Sequence, residues 1–299
     1  MGAIWINGRF VSKEEATVSV YDHGFLYGDG IFEGIRCYNG RVFKLEEHVD
    51  RLFQSAKTMR LEMPIDRGAV IQAIVDTVRK SGLRDAYIRP VVSRGPGDLG
   101  IDPRKCPKAN FVIIVDSIQL YPEEAYRNGL RVITASTRQR PVDVLNPRIK
   151  TCNYLNNIMA RLEANLAGVD EALMLTAEGY VAECTADNVF IVKAGRVLTP
   201  PAYIGILEGV TRRAVLDLCG GLGVLASEHI ITLHDIYTAD ECFLSGTGAE
   251  LGPVVLADGR AIGTGKPGPI TMKILAAFRD LASREGTPVY ETTGARGGD

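Results

Sequence analysis

Asn39-Gly40 separates two strand-like runs, Gly30 to Tyr38 and Arg41 to Leu45. Asn and Gly tolerate the positive φ angles of a two-residue turn, so the pair predicts a tight antiparallel hairpin. A hairpin commits this part of the chain to a sheet, and the neighbouring segments must cover it. Glu46 to Leu61 carries Val49, Leu52, Phe53 and Ala56 on one helical face. Ala69 to Arg79 carries Val70, Ile71, Ile74 and Val78, with Gly82 as a stop. Residues 3–10, 16–21, 87–93 and 110–118 read as further strands. Strands with two amphipathic helices make an α+β layer arrangement.

The chain of 299 residues is long enough for two cores. Residues 118–128 contain Tyr121-Pro122-Glu123-Glu124 and read as a linker or a short irregular helix. We therefore expect a small N-terminal domain at 1–119, a linker at 120–129, a larger C-terminal domain at 130–290 and a disordered tail at 291–299. In the second domain, 130–137, 171–175, 180–183, 188–192, 196–199, 241–245 and 253–256 read as strands. Gly179 and Ala194-Gly195 mark turns among them. Residues 155–166, 210–218 and 270–282 read as helices, the first stopped by Gly168 and the second by Gly220-Gly221.

Composition narrows the function by exclusion. A net charge of −2 gives no electrostatic case for nucleic acid or an anionic membrane surface. No apolar run is long enough to span a bilayer. The first residues lack a basic region ahead of an apolar core, so no signal peptide is expected. Six scattered cysteines form no CxxC pair, which argues against a zinc knuckle or disulfide scaffold and for reduced thiols in a cytoplasmic protein. No metal is expected.

Chemistry enters through a few local patterns. Gly95-Pro-Gly97-Asp-Leu-Gly100 spells GxGxxG, but Ile101-Asp102-Pro103 follows instead of a helix. The spelling is thus a turn rather than a dinucleotide site. Lys150 ends an irregular run and stands just ahead of the helical pattern at Leu155, Ile158, Met159, Leu162 and Leu166. Leu207-Glu208-Gly209-Val210-Thr211 opens a helix whose free N–H groups suit an anion. Ser245-Gly246-Thr247-Gly248 suits a turn with outward N–H groups. Glu183 ends a strand on the same face as Val181, where a carboxylate turned inward needs a cationic partner. Each pattern alone is ordinary: a surface lysine, a helix start, a hairpin turn, a strand-end glutamate. Together a lysine nucleophile, a carboxylate and two anion cups, with Arg51 on a helix ahead of them, are the parts that pyridoxal 5′-phosphate requires.

At this point the chain resembles the fold-type IV pyridoxal-phosphate enzymes, and among them the branched-chain amino-acid aminotransferases. The resemblance runs from about residue 4 to about residue 285. It is carried by Tyr27-Gly-Asp-Gly-Ile-Phe-Glu-Gly-Ile-Arg36, His48-Val-Asp-Arg51-Leu, Tyr87-Ile-Arg89-Pro, Lys150 with Asn153-Tyr154-Leu155, Glu183 with Asp187-Asn188, Leu207 to Arg212, and Ser245 to Glu250. It implies a two-domain α+β fold like that of D-amino-acid aminotransferases, with a small N-terminal α/β domain and a larger pseudo-barrel domain. It implies that Lys150 forms the Schiff base and moves the Cα proton, that Glu183 pairs with the pyridine nitrogen, and that Tyr154 bonds the ring oxygen. Arg51, Val210, Thr211 and Thr247 would hold the phosphate, with Asp187 also at the cofactor. Thr247, Gly248 and Ala249 would receive the substrate α-carboxylate. Tyr27, Phe32 and Tyr87 would line the side-chain pocket, and Arg36 and Arg89 would take the distal carboxylate of glutamate or 2-oxoglutarate. The Gly95–Ile101 loop would reach a partner subunit, so a homodimer at least is expected.

Lys150, Glu183 and the phosphate cup are shared with D-amino-acid aminotransferases and aminodeoxychorismate lyases, which stand as alternatives. Tyr87-Ile88-Arg89 matches the branched-chain enzymes. Asp187, where some bacterial members carry glutamate, and Gly248, where they carry alanine, imply some activity on aromatic amino acids or (R)-amines.

Overall fold

The computed structural model describes residues 2–118 and 121–290. The expected tail at 291–299 lies outside the described residues, as does part of the expected linker. Two curled sheets organise the rest. The first runs in the order Thr287–Pro288, Arg41–Val42, Ile35–Tyr38, Ala86–Ser93, Asn110–Asp116, Ala3–Ile6 and Arg9–Val11, with Gly30–Phe32 also paired to Ala86–Ser93. Helices Leu45–Thr58 and Arg67–Ser81 cover it, and Leu52, Ile74, Ile88 and Ile113 meet in its core. The second sheet runs Val181–Cys184, Glu171–Leu175, Leu130–Thr134, Glu250–Ala257, Glu241–Gly246, Asn188–Lys193, Arg196–Thr199 and Ala226–Glu228. Helices Val210–Gly221 and Pro269–Arg284 pack on it around Phe190, Phe243 and Phe278.

The hairpin at Asn39-Gly40 forms, both residues taking positive φ. Residues 16–21, expected as a strand, form none. The first hairpin turns earlier, at Asn7-Gly8, so that Arg9–Val11 pairs back on Ala3–Ile6. This other Asn-Gly pair sits inside the segment read as one strand, and its turn signal is the stronger determinant. The segment read as linker contains a helix, Glu123–Asn128, ended by Gly129. The described chain also returns to its beginning: Thr287–Pro288 pairs with Arg41–Val42, and Val289 joins the first core.

Helix Leu155–Leu166 has the expected span and is turned over. Leu155, Ile158, Met159, Leu162 and Leu166 are 47 to 89% exposed, while Ala160 and Ala164 pack on Ala172 and Met174 of the Glu171–Leu175 strand and buried Asn157 donates to the Thr185 carbonyl. Small residues let the helix approach the sheet closely, and the large apolar face is left outward.

Candidate active site

A cavity of about 280 Å³ opens between the two sheets. From the first sheet and its covering helix come Phe32, Gly34, Arg51, Tyr87 and Arg89; from the second sheet, its turns and its covering helix come Asp187, Asn188, Val210, Thr211 and Ser245 to Gly248; Lys150 and Tyr154 stand between. The Lys150 backbone is clamped. Its carbonyl accepts from Phe32 N at 3.0 Å, its N–H donates to Ser55 Oγ at 3.2 Å, and Thr151 bridges Ile31. Only the side chain of Lys150 is therefore free to move. Its ammonium donates to the Tyr154 hydroxyl at 3.3 Å and lies 4.7 Å from the centre of the Phe32 ring. Tyr154 is the residue from which helix Leu155–Leu166 starts, and the irregular turn from Lys150 to Tyr154 folds the two side chains onto each other.

Glu183 is buried behind the cavity wall. A register shift between Val181 and Glu183 breaks the strand's alternation, and residues 181–184 are all buried. Among the described residues no cation forms an ion pair with it, and Lys150 and Arg140 act on it only from a distance. Gln139 Nε2 donates to Glu183 at 2.6 Å, the Leu207 N–H at 3.0 Å and Asn188 Nδ2 at 3.2 Å. Amide donors satisfy the oxygens without neutralising the charge, so burial pushes the Glu183 carboxyl up to about 7. Asp187 is likewise raised to about 7, first by burial and then by the negative charge of Glu171. Its Oδ2 and the Ser245 hydroxyl are buried without a hydrogen-bond partner among the described residues, and both residues line the cavity.

Helix Val210–Gly221 starts at Gly209 with no side-chain cap. Its first internal bond is from Arg213 N to Gly209 O, so the earlier N–H groups remain open toward the cavity. A Cβ on Gly209 would run into Asn188 Oδ1, and one on Gly246 into Asp187 Oδ1. Glycine is thus required for both turns to close on the second sheet. Arg51 lines the same end of the cavity and donates to the Glu208 carbonyl at 2.7 Å.

At the opposite end Arg89 Nη2 donates to the Tyr87 hydroxyl at 2.7 Å, with its guanidinium 4.6 Å from the Phe32 ring centre. The structure thus brings Lys150, Arg51, Tyr154, Asp187, Val210, Thr211, Thr247, Phe32, Tyr87, Arg89 and Gly248 to one cavity. Four expected residues stand off it. Glu183 lies behind Asn188 and Leu207. Ala249 is fully buried, its carbonyl accepting from the Tyr126 hydroxyl. Arg36 lies over the Tyr38 ring in an adjoining cavity of about 260 Å³ that shares Ile118 and Gly248. Tyr27 is half-exposed and donates to the Leu99 carbonyl on the Gly95–Ile101 loop. That loop forms no helix, in keeping with its reading as a turn. Sequence reasoning assigned no role to Gln139, Asn188 or Gly34. Gln139 lies far from any motif, and only the fold carries it to Glu183.

Among the described residues no cluster of side chains could hold a metal ion, and no helix is long and apolar enough to cross a membrane. The family model for class IV amino-transferases matches residues 30–257. A protein of Methanocaldococcus jannaschii described as a putative branched-chain-amino-acid aminotransferase is 50% identical, over 96% of this chain and 99% of that one. The branched-chain-amino-acid aminotransferase of Pseudomonas aeruginosa is 39% identical, over 94% of this chain and 93% of that one. The crystal structure of the T.th. branched-chain amino acid aminotransferase with pyridoxamine 5′-phosphate superposes with a TM-score of 0.91 at 38% identity, covering 94% of each chain.

Proposed function

The chain belongs to the class IV aminotransferase family, and from that premise we propose that it moves the amino group between branched-chain L-amino acids and 2-oxoglutarate, with pyridoxal 5′-phosphate as its cofactor. One observation carries the reading: a lysine amine and an uncapped helix N-terminus beside a guanidinium around one cavity, with a buried carboxylate, held by amide donors and in no ion pair, directly behind its wall. Bound there, the cofactor supplies a carbonyl carbon that accepts the amino group and a ring that takes up electrons released at the substrate Cα.

The residues fit that group. A dianionic phosphate suits the Val210 and Thr211 N–H groups, the Thr247 hydroxyl and Arg51. A protonated ring nitrogen is the cation that Glu183 lacks, and its charge would hold that carboxylate ionised at neutral pH. Tyr154 receives the ring oxygen and Asp187 stands at the same wall. Lys150 Nζ carries the proton to and from the substrate Cα, pivoting on a fixed backbone. Phe32 and Tyr87 offer apolar surface to an alkyl chain, while Arg89 offers a charged donor to the acidic acceptor. The N–H groups of Thr247 and Gly248, which line the cavity, receive the α-carboxylate.

We assign a homodimer at least. The outward apolar face of the Leu155–Leu166 helix is the surface such an interface would bury, and Leu99 and Ile101 project from the loop that holds Tyr27. That placement suits Tyr27 to a neighbouring subunit's pocket. Six free thiols support a reducing, cytoplasmic compartment. Asp187 and Gly248 favour some turnover of aromatic amino acids or (R)-amines, and kinetics confined to valine, leucine and isoleucine would refute that extension.

The test is a visible spectrum of the purified protein with separate additions of L-leucine and D-alanine. A yellow band bleached by L-leucine alone is expected. Bleaching by D-alanine alone would select the D-specific enzymes, and a yellow protein indifferent to both would select the lyase. No band after adding pyridoxal phosphate would remove the cofactor assignment.

A further inference from the structure

Glu33 is fully buried in a bend between strands Gly30–Phe32 and Ile35–Tyr38, with its N–H donating to the Pro90 carbonyl at 2.9 Å. Its carboxylate faces one side of the Arg51 guanidinium. Arg51 Nε donates to Oε1 and Nη2 to Oε2, each at 2.7 Å, and His48 Nδ1 meets Oε2 at 2.8 Å. Burial alone would raise the Glu33 carboxyl, but the Arg51 charge and these bonds outweigh it and hold the group far below the usual carboxylate range. Burial keeps His48 below its ordinary pKa, so it serves as a neutral donor at neutral pH.

The donor count is informative. A guanidinium has five N–H bonds. Glu33 takes two and the Glu208 carbonyl takes a third. Two remain, one on each terminal nitrogen, at the end of the cavity where Gly209, Val210 and Thr211 open their helix. Arg51 also lines a second, open groove of about 420 Å³ on its far side, with Lys44, Arg148 and Arg213. Without Glu33 a flexible arginine on the Leu45–Thr58 helix could point either way. The Glu208 carboxylate, at the mouth of that groove, is paired with Arg148 at 2.6 Å rather than with Arg51.

We propose that Glu33, backed by His48, is a positioning residue for cofactor binding: it fixes Arg51 side-on, so that two N–H donors face the phosphate beside the Val210 helix. This rests on the pyridoxal-phosphate reading above. Glu33 touches neither cofactor nor substrate and acts only through Arg51.

The test is the affinity of the apoprotein for pyridoxal phosphate, titrated by absorbance in the wild type and in Glu33→Gln, Arg51→Gln and the double variant. Glu33→Gln should weaken binding by about tenfold, the scale of a lost charge-assisted contact. The double variant should bind no more than about twofold worse than Arg51→Gln alone, since Glu33 has nothing left to position. The ³¹P resonance of bound cofactor should shift in Glu33→Gln. An unchanged dissociation constant in Glu33→Gln, or independent losses that multiply in the double variant, would overturn the proposal. A Glu33→Gln protein with lower thermal stability but wild-type affinity and ³¹P shift would do the same. Should Glu33→Gln fail to fold, the double variant removes both buried charges together, and His48→Gln provides the milder probe, with about threefold weaker binding expected; wild-type affinity in His48→Gln would then count against the proposal. A wild type that binds no pyridoxal phosphate would instead remove the underlying reading.

Discussion

Gly34→Ala should separate the two half-reactions. Gly34 is buried on the cavity wall, and a Cβ there would run into the Tyr87 hydroxyl. Its backbone does not occupy the left-handed region, so alanine adds no φ strain. The backbone cannot retreat either, because Glu33 N is bonded to Pro90 O and Ile35 is in register with Ile88. Tyr87 must yield, and with it goes the 2.7 Å bond from Arg89 Nη2 to the Tyr87 hydroxyl that orients the guanidinium. Overpacking costs both substrates alike, about 1 kcal/mol. The lost orientation of Arg89 falls only on the substrate with a distal carboxylate. A charged hydrogen bond is worth about 1.5–3 kcal/mol, so the 2-oxoglutarate half-reaction should lose a further 10- to 100-fold in kcat/KM. Single-turnover absorbance would follow L-leucine against the pyridoxal form and 2-oxoglutarate against the pyridoxamine form. Equal losses in the two directions, or a loss confined to leucine, would refute the division of labour between Phe32 and Tyr87 on one side and Arg89 on the other.

Lys150→Ala should bind the cofactor noncovalently and show no turnover; near-wild-type transamination would refute the role of Lys150. The apoprotein should lose stability as pH rises from about 4.5 to about 7. The folded Glu183 carboxyl is raised to about 7 and so binds a proton that the unfolded chain has released. The loss is at most about 3 kcal/mol for that group, and Glu183→Gln should flatten the corresponding slope in chemical denaturation; an unaltered slope would count against a desolvated Glu183. Leu162→Glu, on the outward face of the Leu155–Leu166 helix, should shift the protein toward monomer in sedimentation, and an unchanged sedimentation coefficient would place the interface elsewhere.

What the sequence determined by itself was local. Period and stop signals located the Leu45–Thr58, Arg67–Ser81 and Leu155–Leu166 helices, because those patterns depend on neighbours three and four residues apart. The Asn39-Gly40 turn was legible for the same reason. The lysine, the glycine turns and the helix start could be read as chemistry only once considered together. Tertiary structure decided which faces and which partners those elements have. Periodicity finds an apolar stripe but cannot say that Ala160 and Ala164 face the sheet while Leu162 faces out. Alternation put Glu183 on one side of a strand, yet a register shift and a glutamine 44 residues away made its environment. Arg51 was legible as a cation, but the carboxylate that aims it comes from another element, and only the folded chain brings Glu33 to it. Buried polar groups must be satisfied by whatever the fold carries within reach, and that reach is measured through space rather than along the sequence.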